Sequence, residues 1–328
     1  MAELYPLFFE PVFKHYLWGG RNLEKFGRDL PSEGVVAESW EISGHPDGLT
    51  RVKNGIYAGK TLPELLSLLG EALVGTNNTW ALHRGKFPLL IKLLDANRRL
   101  SVQVHPDDAY AIENECNELG KTEMWVVLKA DRNARIIYGL AANISPNIFE
   151  QAVKTGELVQ YLNHIELQKG DHICVPARTL HAILEGSVIV EIQQNSNTTY
   201  RVFDWNRVGD DGNPRDLHLQ KALDVIDFTR VGENLPIPEM TVNNKHYLCE
   251  RLCSNTYFTT ERYFMCPGRK YEGVCDGRSL EIWGVIEGKA EIAGYDLSAV
   301  KFVLLPAKMG PFKVSVSEKA TLLRTYVA

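Results

Sequence analysis

Alternation of polar and apolar residues recurs in several segments of the chain and predicts β-strands. In LSVQVH (100–105), Ser101, Gln103 and His105 fall on one face of the predicted strand, and aliphatic residues fall on the other. A strand with a hydroxyl, an amide and an imidazole on its inner face is typical of one wall of a ligand-binding cavity. Pro106 ends this strand, and the acidic residues after it predict a short helix over PDDAYAIEN.

Helical periodicity is confined to a few segments between the predicted strands. Thr61 is the predicted N-cap of a helix over TLPELLSLLGEALVG, with a stop signal at Gly75. Asn54-Gly55 predicts a two-residue β-hairpin turn. Further helices are predicted over ISPNIFEQAVKTGELVQYLNHIEL, as two helices separated near Gly156, and over NPRDLHLQKALDVIDF.

The strand pattern occurs twice, which predicts two β-barrel lobes. After the proline-rich segment VGENLPIPEM, the chain repeats the order strand, glycine turn, strand, proline loop and strand. We assign residues 1–235 to a first lobe with helical insertions and the functional groups, and residues 236–328 to a second lobe. The second copy has Phe312 where the first has His181, so we expect a barrel without a metal there.

A candidate metal site arises from the polar residues of the first lobe. The intervals between Gly170, Pro176 and His181 fit a turn, a strand, a proline loop and a returning strand, which would bring His181 beside the 100–105 strand. One amide oxygen, two imidazoles and one carboxylate then meet, and these ligand types suit zinc in a catalytic site. Such a site also needs a fifth position for water or substrate. The predicted ligands are Gln103, His105, Glu123 and His181.

Three other positions each allow two environments. Lys92, in an otherwise apolar strand, either extends to solvent from a sheet edge or faces a polar cavity. Glu191, at the end of the apolar strand EGSVIVE, either faces a cavity or lies on an exposed edge. Trp18 precedes two glycines, which form either a simple tight turn or a place where the backbone approaches a ligand.

Composition and charge narrow the classes of function. The chain has 328 residues, is 45% hydrophobic and carries a formal net charge of −5 at pH 7. It has neither the basic stripe of a nucleic-acid-binding protein nor the run of ~20 apolar residues that a membrane-spanning helix needs. The N-terminal run LYPLFF is too short for a signal peptide. We therefore expect a cytoplasmic protein, reduced thiols at all six cysteines, and no nucleic-acid or membrane partner.

Four motifs, taken together and in order, resemble one enzyme family. LLIKLLDANRRLSVQVHPDD, GKTEMW, PARTLHAI and NSNTTYRVFDWNR closely resemble the type I mannose-6-phosphate isomerases in their compact bacterial form. The resemblance implies a mainly β fold of two cupin-type (jelly-roll) barrels with a few inserted α-helices. It also implies one zinc ion per chain on the four predicted ligands, and interconversion of D-mannose 6-phosphate and D-fructose 6-phosphate.

The same resemblance implies roles for residues around the metal. Arg201 matches the family's active-site arginine, and Trp18 is a further candidate for contact with the substrate. Other matched pocket positions are Lys92, Ser101, Lys121 and Glu191.

Aldose–ketose isomerisation needs a base that moves a proton between C2 and C1 through a cis-enediol or enediolate. Glu191 is the first candidate, because burial at a strand end would raise its pKa. Lys121 is the second candidate, and a zinc-assisted hydride shift stays open.

Two other functions also stay open: a metal-dependent cupin oxygenase with iron on the same ligands, and a non-catalytic barrel that binds or senses sugar phosphates. The chain lacks the glycine and asparagine of the general cupin pattern, at Arg178 and Glu185, which weakens an assignment to cupins outside the isomerase group. We expect a monomer or a weak homodimer, since two fused barrels cover each other's edges.

Overall fold

The computed structural model describes residues 4–209, 212–232 and 234–327, which form a mainly β fold with short helices between the strands. The predicted fold class is confirmed. The strands are β1 (Phe9–Glu10), β2 (Val12–Lys14), β3 (Glu38–Ile42), β4 (Arg51–Val52), β5 (Leu89–Ala96), β6 (Val102–Val104), β7 (Glu123–Ala130), β8 (Arg135–Leu140), β9 (Leu162–Glu166), β10 (His172–Val175), β11 (His181–Ile183), β12 (Ser187–Gln194), β13 (Tyr200–Phe203), β14 (Glu239–Asn243), β15 (Tyr247–Ser254), β16 (Thr259–Met265), β17 (Lys270–Cys275), β18 (Glu281–Glu287), β19 (Lys289–Ile292), β20 (Tyr295–Ser298), β21 (Lys301–Leu305), β22 (Gly310–Ser315) and β23 (Ala320–Tyr326). The α-helices are α1 (Leu62–Leu69), α2 (Glu71–Val74), α3 (Thr79–Arg84), α4 (Asp108–Asn114), α5 (Pro146–Thr155) and α6 (Leu219–Val225).

Two antiparallel sheets build the first half of the molecule. One sheet has the strand order β10-β7-β12-β5-β3-β2, and the other has the order β13-β6-β11-β8-β9. Their facing side chains form one core, in which Trp125 and Ile189 of the first sheet pack with Ile136 and Ile183 of the second. Because successive side chains of a strand point to opposite faces, each sheet turns every second residue toward this space.

The second half of the molecule repeats the two-sheet arrangement. Its sheets have the orders β14-β15-β16-β23-β18-β21 and β17-β22-β19-β20, and Trp283 and Leu322 of the first pack with Phe312 and Val314 of the second. Within the described ranges, the one cluster of His, Cys, Asp and Glu side chains that could hold a metal lies in the first half. The domain boundary at residues 235 and 236 stays a prediction.

Local sequence signals account for some helices and fail for others. The helix predicted to begin after Thr61 is confirmed for α1, where Thr61 N donates to Glu64 Oε2 at 2.7 Å in a capping box. Its predicted continuation to Gly75 is wrong, because Gly70, with φ 52°, interrupts the helix and separates α1 from α2. The helix at α5 is confirmed and ends at Gly156 with φ 78°. The second helix predicted after Gly156 is wrong, because β9 forms there and pairs with β8, so tertiary pairing overrides local helix propensity. No helix in the described part of the chain is long and apolar enough to cross a membrane.

The two-residue hairpin turn predicted at Asn54-Gly55 is also wrong. A 3-10 turn follows Asn54 instead. The Asn54 side chain accepts a hydrogen bond from Phe8 N at 3.0 Å and donates one to the carbonyl oxygen of Pro6 at 2.9 Å. These hydrogen bonds tie the segment to the start of the chain and outweigh the local turn preference.

The two halves share a hydrophobic core and backbone hydrogen bonds. Leu65 of α1 belongs to the same buried cluster as Leu280 and Leu304 of the second half. Leu7 forms an antiparallel bridge with Leu304, and Thr76 N donates to the carbonyl oxygen of Gly277 at 3.0 Å. The stability of each half is therefore coupled to contacts with the other.

Gly75 lies where the backbones of the two halves approach each other closely. Its φ is +89°, and a Cβ atom there would lie 2.3 Å from the carbonyl oxygen of Arg278. We expect Gly75→Ala to lower the free energy of unfolding by ~3 kcal/mol, because a backbone clash adds to the strain at positive φ. Gly59→Ala is the matched control: φ is +85° and no atom lies within 4 Å of its added Cβ, so the expected loss is ~1 kcal/mol. Denaturant unfolding of both variants measures the difference, and equal losses would contradict a steric role for Gly75.

Candidate active site

The five-stranded sheet places polar side chains in one row. Gln103 on β6 lies opposite both His181 on β11 and Arg201 on β13. Opposed residues of antiparallel neighbours point to the same face. The amide, the imidazole and the guanidinium therefore project together into the space between the sheets. His105 follows two residues after Gln103 and shares its face.

The six-stranded sheet contributes a second polar row. Lys92 on β5 lies opposite Glu191 on β12, which in turn lies opposite Trp125 on β7. Glu123 precedes Trp125 by two residues and points the same way. The Glu123 carboxylate thereby meets the imidazoles of the other sheet.

Backbone carbonyls hold both imidazoles in the orientation that a metal ligand requires. Nδ1 of His105 donates to the carbonyl oxygen of Thr198 at 2.9 Å, and Nδ1 of His181 donates to that of Thr179 at 2.8 Å. Burial lowers the pKa of both rings, that of His181 to about 4, so both are neutral at pH 7. Each ring therefore keeps its proton on Nδ1 and turns a lone pair on Nε2 toward Glu123, at 3.5 Å from His105 and 3.3 Å from His181.

Glu123 lacks the partners that a buried carboxylate normally has. Both oxygens are buried without a hydrogen bond of regular geometry, and Lys121 Nζ forms an ion pair with Oε2 at 3.0 Å. Burial raises the pKa of Glu123. A cation between this carboxylate and the two Nε2 lone pairs would supply the missing interactions.

The ligand atoms are close enough to share one ion. Those of His105, Glu123 and His181 all lie within 4.8 Å of one another. Gln103 Nε2 is 3.4 Å from His181 Nε2, and half a turn of the amide would present its oxygen instead. The residues of this cluster therefore fit a metal ion.

A cavity of about 250 Å³ opens beside the metal-binding cluster. The structure brings all the predicted site residues together here, with His105 buried in the cluster itself. The others line the cavity: Trp18, Lys92, Ser101, Gln103, Lys121, Glu123, His181, Glu191 and Arg201.

The three positions with two open environments, Lys92, Glu191 and Trp18, all face the cavity. The sequence suggested that Glu191 lies at a strand end and has a raised pKa, and both expectations are wrong. It lies within β12, and Lys92 Nζ is 3.3 Å from its Oε2. Burial raises the pKa of Glu191, but the ammonium groups of Lys92 and Lys121 outweigh burial, so the net shift is downward. Glu191 is therefore ionised at neutral pH.

Several polar residues of the cavity wall were missed by the sequence analysis. Glu38 could have been found, because it shares a strand face with Trp40 on β3. Its carboxylate lies 3.6 Å from Lys92 Nζ. Arg215 carries no local signal, since it lies in the irregular segment between β13 and α6. The missed residues are Tyr16, Glu38, Asn197, Thr199 and Arg215.

Comparison with known proteins agrees with the resemblance seen in the motifs. Residues 7–129 match the family model for the catalytic domain of type I phosphomannose isomerase. The mannose-6-phosphate isomerase of Streptococcus mutans is 46% identical over 237 residues, 72% of each chain. The mannose-6-phosphate isomerase ManA of Bacillus subtilis is 36% identical over 317 residues, 94% of this chain and 95% of that protein. The crystal structure of the mannose 6-phosphate isomerase from Bacillus subtilis matches with a TM-score of 0.86 at 36% identity, covering 98% of this chain and 99% of the other. The chain therefore belongs to the type I phosphomannose isomerase family.

Proposed function

We propose that this chain is a metal-dependent aldose–ketose isomerase that interconverts D-mannose 6-phosphate and D-fructose 6-phosphate. One observation carries the proposal: the metal-binding cluster shares its cavity with an ionised carboxylate, Glu191, and a permanent cation, Arg201. Binding alone would require no base beside the metal. Relatives that carry the name mannose-6-phosphate isomerase over nearly the whole chain support the same substrate pair.

Zinc is the proposed metal, one ion per chain. Imidazole, carboxylate and amide ligands without a thiolate suit a catalytic zinc. When bound, the ion would supply a Lewis acid that stabilises negative charge on the sugar oxygens. The proposed ligands are Gln103, His105, Glu123 and His181.

Glu191 is proposed to move the proton between C2 and C1. A general base must be unprotonated, and the ion pair with Lys92 keeps Glu191 in that form. Trp125 Nε1 donates to Glu191 Oε1 at 3.1 Å, which fixes the orientation of the carboxylate. Lys121 is the second candidate, and its Nζ lies 3.1 Å from His105 Nε2.

Substrate contacts are proposed for the remaining predicted residues. Arg201 cannot act as a base, and it binds the anionic part of the substrate. Ser101 and Trp18 line the same cavity, and Trp18 is 4% exposed. An aromatic side chain can pack against the apolar face of a sugar, and polar groups around it can form hydrogen bonds with the sugar hydroxyl groups.

A coupled assay of fructose 6-phosphate formed from mannose 6-phosphate tests the function. We expect turnover by zinc-loaded protein. Absence of turnover in folded, zinc-loaded protein would refute the isomerase. Binding of mannose 6-phosphate without turnover would favour the sugar-phosphate sensor, and oxygen consumption by the iron-loaded protein would favour the oxygenase.

The organisation of the whole molecule is also proposed. Residues 1–235 form the catalytic lobe and residues 236–328 form the metal-free lobe, and no large sheet of the described chain includes strands from both. We propose a monomer or a weak homodimer in the cytoplasm. The six free cysteines suit a reducing compartment.

A further inference from the structure

Positive charge exceeds negative charge in the wall of the cavity. Its cations are Lys92, Lys121, Arg201 and Arg215, and its carboxylates are Glu38, Glu123 and Glu191. Both lysines are paired with these carboxylates: Lys92 with Glu38 at 3.6 Å and Glu191 at 3.3 Å, and Lys121 with Glu123 at 3.0 Å. The charge without a counterion in the cavity therefore belongs to the two arginines.

Arg201 has a hydrogen-bond donor that lacks an acceptor in the described chain. Its Nη1 donates to the carbonyl oxygen of Asp216 at 2.8 Å, whereas its Nε is buried without a hydrogen-bond partner. Burial lowers the pKa of Arg201, and so does the like charge of Arg215, which lines the same cavity. A buried donor without a partner is costly, and an anionic oxygen between the arginines would relieve both problems.

Arg215 shares its only carboxylate partner in the described chain with another arginine. Its Nε donates to Asp204 Oδ2 at 2.8 Å and its Nη2 to Oδ1 at 2.6 Å. Arg207 also contacts Asp204 Oδ1. Two guanidinium groups thus share one carboxylate, and positive charge is left over. Only Arg215 of this pair lines the cavity, whereas Arg207 donates to the backbone of Arg99.

Relative to the metal cluster, the two arginines lie where the phosphate end of a bound sugar phosphate would lie. Arg201 lies one strand away from the predicted ligand Gln103. The Arg215 side chain is 25% exposed, whereas that of Glu123 is 1% exposed. Arg201 is also partly exposed, so both arginines lie nearer to solvent than the buried His105, Glu123 and His181.

We propose that Arg201 and Arg215 together bind the phosphate group of the substrate, with Asp204 holding Arg215 in place. The proposal rests on the proposed function and deepens it by naming the residues that recognise the phosphate. Forked N–H donors on two guanidinium groups of one cavity wall match the oxygens of a phosphate dianion. The reacting carbons of the sugar then face the metal cluster and Glu191.

Arg215→Gln tests the proposal because it should change KM without a comparable change in kcat. We expect KM for mannose 6-phosphate to rise ~10–100-fold with kcat changed by less than ~3-fold, and competitive inhibition by inorganic phosphate to weaken in parallel. Arg207→Gln is the matched control, because it removes the same charge and a contact with the same Asp204 outside the cavity. Its KM should stay within ~2-fold of wild type. Arg215→Lys keeps the charge without the fork and should give an intermediate KM.

Equal changes of KM in Arg215→Gln and Arg207→Gln would overturn the proposal, because Arg215 would then only support the segment around Asp204. Calorimetric titration of the zinc-loaded proteins with inorganic phosphate separates this proposal from the proposed function. Weaker phosphate binding by Arg215→Gln, in a protein without isomerase turnover, would refute the isomerase and retain the phosphate site. Isomerase turnover with unchanged KM and unchanged phosphate binding in Arg215→Gln would refute the phosphate site and retain the isomerase.

Discussion

Replacing Glu123 by glutamine is expected to remove the metal and to lower kcat/KM by at least ~10³-fold, or ~4 kcal/mol of transition-state stabilisation. Glutamine keeps the size of the side chain but removes its negative charge. The Nε2 lone pairs of His105 and His181 would then face a neutral amide, and a cation between the rings would lose its one anionic ligand. The same loss of turnover is expected when wild-type protein is treated with a chelator, with recovery on addition of zinc.

Metal analysis together with the coupled assay checks this expectation. Glu38→Gln is the matched control, because Glu38 lines the same cavity but does not belong to the metal-binding cluster. It should retain one zinc per chain. Stoichiometric zinc in folded Glu123→Gln would contradict the assignment of the cluster as the metal site, whereas loss of zinc from both variants would point to a general collapse of the cavity.

Replacing Glu191 by glutamine is expected to lower kcat by ~10²–10⁴-fold with zinc retained, which is the usual contribution of a general base. The change removes the proton acceptor and keeps the size of the side chain. Lys92 would still pair with Glu38 and would therefore keep one of its two ion pairs. Substrate binding should change much less than kcat, since the proposed phosphate site, Arg201 and Arg215, lies elsewhere in the cavity.

Isomerisation in D2O separates proton transfer from a hydride shift. If Glu191 carries the proton, deuterium should enter the sugar at C1 or C2 with the wild-type protein and fail to enter with Glu191→Gln. Lys121→Met distinguishes the second candidate base under the same conditions. A Glu191→Gln variant with kcat within a few-fold of wild type would contradict the assignment. Complete absence of deuterium from a rapidly turning over wild type would favour the hydride shift.

The pattern of residues along the chain was enough to predict which residue types share a strand face and which chemistry they suit. Alternation along LSVQVH placed Gln103 and His105 together, because side-chain direction in a strand depends only on position along that strand. The order of four motifs along the chain pointed to one family, and the comparisons agree. The α1 and α5 helices were also predictable, because caps and stop signals act within a few residues.

Properties that depend on neighbours from distant segments became apparent only from the fold. The pKa of Glu191 falls because the fold brings both Lys92 and Lys121 near it, and together they outweigh the burial that the sequence suggested. The carbonyl oxygens of Thr198 and Thr179 set the proton positions on the two imidazoles. Arg215 reaches the cavity from an irregular segment with no local pattern.

The failures among the local predictions have the same origin. A strong turn signal at Asn54-Gly55 gave way to hydrogen bonds with the start of the chain, and a helical pattern after Gly156 gave way to pairing with β8. Local propensities are worth a few tenths to ~1 kcal/mol per residue, and long-range pairing and burial exceed them. Sequence pattern therefore determined the chemistry available to the site, and packing between distant segments determined its charge, its proton positions and its walls.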